Sequence, residues 1–409
     1  MIKRTMYLEK LEMYLNRDVV KIITGVRRCG KTTLIRQFIE ELKENGIPEE
    51  NIIYLNFEAM IYAYFNRASD LRDMLFEFME QSKGHTYIFL DEVQNIEGWA
   101  NVASELLNLF DCDLYVSSSN SSVFKNDFAK VLGYRYVRID MFPLTFSEYL
   151  AITAEERIIP EGTEVQAPSK EELFMDYLKR GSMPGTYSLK EDADRTDYLS
   201  DLYNAIILKD VVQCNNLRDI NHIDKIMEFI LSHMGEVFSP KAVKDHVKKS
   251  GAVISVDTVY SCLDALTGAY LIYKVPRFDI KNDRVLETQE KYYICDIAMR
   301  DSVMRDEGPG IEAILENALC LEMLQRGFNL YVGKQGQNII DFMAMRGQDR
   351  TYLNCCETVS DRTEAKNNFG PLTRIRDNYF KMVLSMDSGT IINKGGIINY
   401  PIVDFLSES

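Results

Sequence analysis

The stretch that most constrains this chain is Val19 to Thr33, VVKIITGVRRCGKTT. It opens on β-branched and apolar residues, Val19 to Thr24, the composition of a strand buried on both faces of a parallel sheet. That strand runs into Gly25-Val26-Arg27-Arg28-Cys29-Gly30-Lys31-Thr32, which meets G-x-x-x-x-G-K-[ST] at every fixed position. Glycine at 25 and 30 permits backbone conformations in which successive N–H groups turn inward onto phosphate oxygens. A helix opening near Lys31 and running through Thr33 to Glu44 adds the positive end of its dipole. Lys31 then reaches the β- and γ-phosphates of ATP, and the Thr32 hydroxyl is placed to ligate Mg²⁺. A chance match in a surface turn would lack the preceding strand and the following helix.

A second element answers the first. Thr86-Tyr87-Ile88-Phe89-Leu90-Asp91-Glu92 is an apolar strand that delivers an acid to the carboxyl edge of its sheet, where open α/β sheets bind ligands. Asp91 is the candidate magnesium-holding acid, and Glu92 the candidate general base that polarises an attacking water. The alternative for this acid pair is a helix N-cap. Further strands are expected at Asn51 to Phe57, Asp113 to Ser117 and Tyr134 to Asp140, with helices at Leu71 to Gln81, Trp99 to Phe110 and Phe124 to Leu132. Such alternation means a parallel sheet with right-handed crossovers. Asp113 to Ser117 runs into Ser118-Ser119-Asn120, bringing a polar Asn120 to the same edge. Residues 1–18 read as an amphipathic helix leading into the first strand, with Arg4 either a base or ribose contact or a solvated charge.

At 409 residues the chain exceeds one ordinary core, so further domains follow. Its N-terminus is too charged for a signal peptide and no apolar run reaches membrane-spanning length. Eight cysteines without C-x-x-C spacing read as the reduced thiols of a cytoplasmic protein. Four dispersed histidines suggest no metal site. A net charge of −15 argues against generic nucleic-acid binding by the whole molecule while leaving room for a local basic patch.

ITGVRRCGKTTL, FLDEVQNIEGW, SSSN and RYVRIDMFPLTFSEYL together resemble the bacterial and archaeal AAA-type ATPases that carry a C-terminal domain of unknown function. The resemblance implies a P-loop NTPase of AAA type in the α/β class. Lys31 and Thr32 would be its Walker A residues, Asp91 and Glu92 its Walker B, and Asn120 the sensor that orients water. Arg135 would be an arginine finger acting in cis or from a neighbouring subunit, which makes an oligomer a possible form. The chain departs from the family glycines at Ser118, Tyr134 and Ser182, the last within Gly181-Ser182-Met183-Pro184.

The order expected is an ATPase core over 1–145, a helical lid over 146–220 with a charged loop at Ile158 to Pro168, a winged helix over 221–285, and a last domain over 286–409. In the winged helix, the third helix, Ser255 to Thr267, carries no Lys or Arg, and the basic residues Lys241, Lys244, Lys248 and Lys249 lie on the helix before it. Weak DNA binding there competes with a structural or protein-binding role. The last domain resembles the restriction-endonuclease-like fold, with Glu316 and Asp341 as the first two acids of a metal site. The next strand, Thr351 to Cys356, holds no acid or lysine, and Val359 stands where the lysine after Glu357 would be, so an inactive form is expected. Asn338 to Met345 and Ile398 to Phe405 are expected as strands. Two functions compete: an ATPase that couples nucleotide state to its C-terminal domains, and a low-turnover ATP-binding scaffold or switch with an unknown protein partner. A nucleic-acid-associated ATPase of a defence or mobile-element system rests on fold analogy alone.

Overall fold

Strands of this sequence are apolar at consecutive positions, and that requires cover on both sheet faces. The computed structural model describes residues 2–62, 67–124, 128–156, 167–215, 217, 219–304, 308–388 and 392–408. They divide into two compact units, residues 1–141 with 268–270, and residues 142–267 with 271–409.

The first unit runs α1 (Thr5–Met13), β1 (Val20–Thr24), α2 (Lys31–Glu44), β2 (Ile52–Asn56), α3 (Ala68–Gln81), β3 (Thr86–Asp91), α4 (Trp99–Leu109), β4 (Cys112–Ser118), α5 (Phe128–Val131) and β5 (Tyr136–Asp140). Its sheet is wholly parallel in the order β2-β3-β4-β1-β5. All six residues of β3 are buried. Ile88 and Leu90 project to one face, into a core with Leu71 and Leu75 of α3 and Trp99, Val102 and Leu106 of α4. Phe89 projects to the other, stacking on Tyr115 at 4.7 Å and meeting Phe38 of α2 edge-on at 6.3 Å. Because β4 lies between β1 and β3, the loop after β1 and the acids ending β3 converge on one edge. The N-terminal helix is shorter than the charge pattern implies, with Tyr7, Leu8 and Leu11 buried and Met13 turned outward. Within the helix expected over Phe124 to Leu132, residues 125–127 lie outside the described residues.

The second unit begins with α6 (Phe146–Glu156), α7 (Lys170–Arg180) and α8 (Asp192–Ala205), which continues as a π-helical stretch over Ile206–Gln213. Residues 158–166 of the expected charged loop lie outside the described residues. Next come α9 (Ile220–Ser232), α10 (Pro240–Lys249) and α11 (Val256–Gly268), then the hairpin β6 (Ile272–Asp279) and β7 (Arg284–Ile294). Ser239 caps α10 by accepting from the Ala242 N–H at 3.3 Å, and Pro240 fills the first helical position. The hairpin is also one end of an eight-stranded mixed sheet, so the boundary expected at 285/286 falls inside β7. The chain continues through α12 (Ile297–Val303), α13 (Ile311–Gln325), β8 (Asn329–Gln335), β9 (Asn338–Arg346), β10 (Asp349–Cys356), α14 (Arg362–Thr373), β11 (Phe380–Ser385), β12 (Ile392–Lys394), β13 (Ile397–Pro401) and α15 (Ile402–Ser407). The strand expected over Ile398 to Phe405 is therefore corrected. It stops at Pro401, which cannot donate to a ladder, and Ile402, Val403 and Leu406 bury one face of α15. No described helix is long and apolar enough to cross a membrane.

Gly181-Ser182-Met183-Pro184 has a structural purpose in this unit. The fully buried Asp296 carboxylate accepts from the backbone N–H groups of Ser182, Met183 (3.0 Å) and Met299 (2.7 Å) and from the Ser182 hydroxyl (2.8 Å). Gly181 sits at φ +84°, and a Cβ there would lie 2.8 Å from the Asp296 oxygens. Serine at 182 supplies a further donor to the carboxylate through its hydroxyl. Asp296→Ala is expected to destabilise the second unit by about 3 kcal/mol or more, since each buried donor left unpaired costs roughly 1–3 kcal/mol. Ser182→Gly should cost only about 1 kcal/mol. Chemical denaturation of the full chain measures both, and equal losses would contradict this account.

Candidate functional site

The loop after β1 needs its glycines for different reasons. At Gly25 a Cβ would sit 2.0 Å from the carbonyl oxygen of Met141, so the close approach of backbone excludes any side chain. Gly30 stands at φ +113° as the residue before α2. Between them, Val26 and Cys29 are fully buried, and burial pushes the Cys29 thiol up, away from reactive thiolate. Arg27 pairs with Glu58, just past β2, while Arg28 is exposed at φ +67°.

Lys31, almost wholly buried, donates to the carbonyls of Gly25 (2.9 Å) and Val26 (3.2 Å) and lies 3.5 Å from Glu92. The loop is thus closed on its own ammonium. Thr32 donates from its hydroxyl to Asp91 at 2.7 Å, and Thr33 follows in the first turn of α2. Asp91 also accepts from Tyr54 (2.9 Å) and Asn56 (3.2 Å) of β2, and from Ser117 of β4. Burial raises the Asp91 carboxyl above its ordinary range, the neighbouring Glu92 charge adds to this, and the hydroxyls of Ser117 and Thr32 oppose it. A buried carboxylate and a threonine hydroxyl in contact, with an ammonium in the same loop, form an oxygen donor pair that suits Mg²⁺ and a polyphosphate.

Glu92 adopts φ +60°, an uncommon left-handed conformation for a residue with a side chain. Its carboxylate accepts from Gln94 at 2.6 Å and from the Ser119 N–H at 3.2 Å. Burial works against its charge, but Lys31, Gln94 and Arg27 outweigh burial and hold its pKa below the usual value. Glu92 is therefore ionised at neutral pH, the state a base requires. Asn120, buried just past β4, accepts from the Ser122 N–H through its side chain. The Ser118 hydroxyl accepts from the Asn120 N–H (3.0 Å) and donates to its carbonyl (2.8 Å). The Ser118 side chain thus fixes the turn that carries Asn120.

Arg135 is not brought to this edge. It precedes β5, its carbonyl accepts from the Val20 N–H, and its guanidinium binds Asp18 (3.2 Å) and Asn108 (2.7 Å). Val20 to Thr24 spans roughly 13 Å at about 3.3 Å per residue, so Arg135 lies at the opposite end of the strands. That removes the cis role from the finger reading. Arg4 is buried, donating to the Cys29 carbonyl at 3.3 Å and lying 4.9 Å from the Tyr7 ring. It braces the phosphate loop from behind, so the solvated-charge reading does not hold. Sequence alone does not single out Tyr54, Asn56, Gln94 and Ser119. Asn56 had a readable signal, a polar residue ending an apolar strand; the others depend on which strands become neighbours.

A family model described as an AAA domain matches residues 17–150, and another, described as a domain of unknown function (DUF8612), matches residues 171–309. An uncharacterised protein of Haemophilus influenzae is 30% identical over 408 residues, covering 100% of this chain and 99% of that one. The chain belongs to the family of that Haemophilus protein. A second uncharacterised relative, from Methanocaldococcus jannaschii, is 24% identical over 360 residues, covering 87% of this chain and 78% of its own length. Among solved structures, the Walker-type ATPase PABY2304 of Pyrococcus abyssi aligns with a TM-score of 0.50 at 14% identity, over 74% of this chain and 96% of that one. The N-terminal part of the family member described here is accordingly an AAA-type P-loop ATPase fold.

Lys31→Ala is expected to weaken ATP binding at least ~10-fold, since charge-assisted hydrogen bonds contribute about 1.5–3 kcal/mol. Titration with a fluorescent ATP analogue measures it, and an unchanged affinity would place the nucleotide elsewhere.

Proposed function

We propose that the first unit binds ATP with Mg²⁺ and hydrolyses it to ADP and phosphate, and that nucleotide state is coupled to rearrangement of the second unit. The observation that carries this reading is the meeting of Lys31, Thr32, Asp91 and Glu92 at one sheet edge, linked by contacts of 2.7 to 3.5 Å. The N–H groups of residues 25–33 receive the phosphates, and Lys31 exchanges the carbonyls of Gly25 and Val26 for β- and γ-phosphate oxygens. Thr32 and Asp91 would hold Mg²⁺, which neutralises phosphate charge when bound. Glu92 accepts a proton from the attacking water, and Asn120 orients that water. A role for Arg135 requires a second copy of the chain.

One observation favours the second reading, a slow switch that holds ATP. Both Glu92 oxygens are engaged, one by Gln94 and Ser119 and the other facing Lys31, so the base must be released before it acts. A protein or nucleic-acid partner is the natural agent of release. Any DNA contact belongs on α10, where Lys241, Lys248 and Lys249 are exposed, because the exposed face of α11 carries Asp257 and Asp264.

Glu92→Gln should retain ATP binding and lower turnover at least ~10²-fold, the usual contribution of a general base. Steady-state ATP hydrolysis, with and without DNA or RNA, is the assay. A wild type with no turnover in any of these conditions would favour the switch.

A further inference from the structure

The second unit holds a buried charge cluster unrelated to nucleotide. Lys291 of β7 is 4% exposed, and its ammonium lies 2.8 Å from Glu316 of α13 and 3.2 Å from Asp341 of β9. Tyr293, two residues along the same face of β7, donates to the same Glu316 oxygen at 2.6 Å. The second Asp341 oxygen accepts from the Cys355 N–H at 3.0 Å. Asn317, next to Glu316, fastens α13 to β7 by pairing with both the N–H (2.8 Å) and the carbonyl (3.0 Å) of Ile294. The strands part here: β6 pairs with β8 only over Arg277 to Asp279, well beyond the point where Val275 faces Lys291.

Glu316 and Asp341 are the two acids that the sequence offers for a divalent metal. The lysine missing from β10 is present after all, but it comes from β7 and sits between the acids. On β10 itself, Asn354 is a neutral amide, accepting from the Asp341 N–H (3.0 Å) and donating to the Asn368 carbonyl (2.8 Å). No group of three or more metal-ligating side chains occurs among the described residues. Burial works to lower the pKa of Lys291, but the Glu316 and Asp341 charges overcome it and leave the ammonium firmly protonated.

We propose that the Lys291 ammonium is the resident cation of this two-carboxylate centre, so that the chain's own charge holds the place a divalent metal would take and the centre is closed to metal ions. A divalent ion needs oxygen ligands at about 2.0–2.6 Å, and a like charge at contact distance from both carboxylates opposes its approach. Shortening Lys291 removes that charge and leaves two converging carboxylates with space between them. The proposal is independent of the nucleotide-site reading.

The test uses the nucleotide-free full chain and Mn²⁺, followed by electron paramagnetic resonance and thermal melting. Wild type should show no Mn²⁺ binding that Asp341→Asn abolishes. Lys291→Ala should lower the melting temperature, bind Mn²⁺ at least ~10-fold more tightly than wild type, and regain several degrees of melting temperature in saturating Mn²⁺. Adding Asp341→Asn to that variant should remove the rescue. A folded Lys291→Ala that gains no Mn²⁺ affinity would overturn the proposal. If that variant does not fold, wild-type crystals soaked in Mn²⁺ decide the matter: anomalous density at Glu316 and Asp341 contradicts the proposal, and its absence there supports it. Mn²⁺-dependent DNA cleavage lost in Asp341→Asn would also contradict it.

Discussion

The hydrogen bond from Thr32 to Asp91 ties the first turn of α2 to the end of β3, two segments 59 residues apart. The candidate chemistry of the first unit depends on that join. It exists because β4 pairs with both β1 and β3, so the strands end side by side on one edge. Around it the protein has placed four donors on one buried carboxylate, from Thr32, Tyr54, Asn56 and Ser117. Buried donors without partners are costly, so such a collar fixes the acid in one orientation. A fixed acid beside a threonine hydroxyl is the preorganisation that metal-assisted phosphate chemistry requires.

Lys31 bonds the carbonyls of its own loop, and its charge, with Gln94 and Arg27, keeps Glu92 ionised. The candidate base and the candidate phosphate-binding cation thus face each other. Lys31 lies 3.5 Å from Glu92, so the two candidate groups share one electrostatic environment.

What the sequence made legible follows from the range of each signal. The phosphate loop and the β3 acids are local patterns of residues few positions apart, and both lie where expected. Asn120 was readable because a polar turn ends an apolar strand. Arg135 lies at the start of its strand, as the expected strand over Tyr134 to Asp140 has it, so only a neighbouring subunit could bring it to a nucleotide. Tyr134, Ser118 and Ser182, where the resemblance implies glycine, illustrate a related limit. Tyr134 does adopt a left-handed φ of +60° and stands 71% exposed. Ser118 and Ser182 instead use their hydroxyls, one to fix Asn120 and the other to bind Asp296. Partners 114 and 50 residues away in the chain, as for Ser182 with Asp296 and Lys291 with Asp341, leave no trace in local pattern.

The central claim is that the carboxyl edge of β1, β3 and β4 is a nucleotide site whose phosphate-binding cation is Lys31. A crystal structure of the full chain with Mg²⁺ and a non-hydrolysable ATP analogue tests it most directly. The account predicts that the Lys31 ammonium leaves the carbonyls of Gly25 and Val26 for the β- and γ-phosphate oxygens, with Thr32 and Asp91 on the same metal ion. Nucleotide bound elsewhere, with Lys31 still on its own loop, would contradict it.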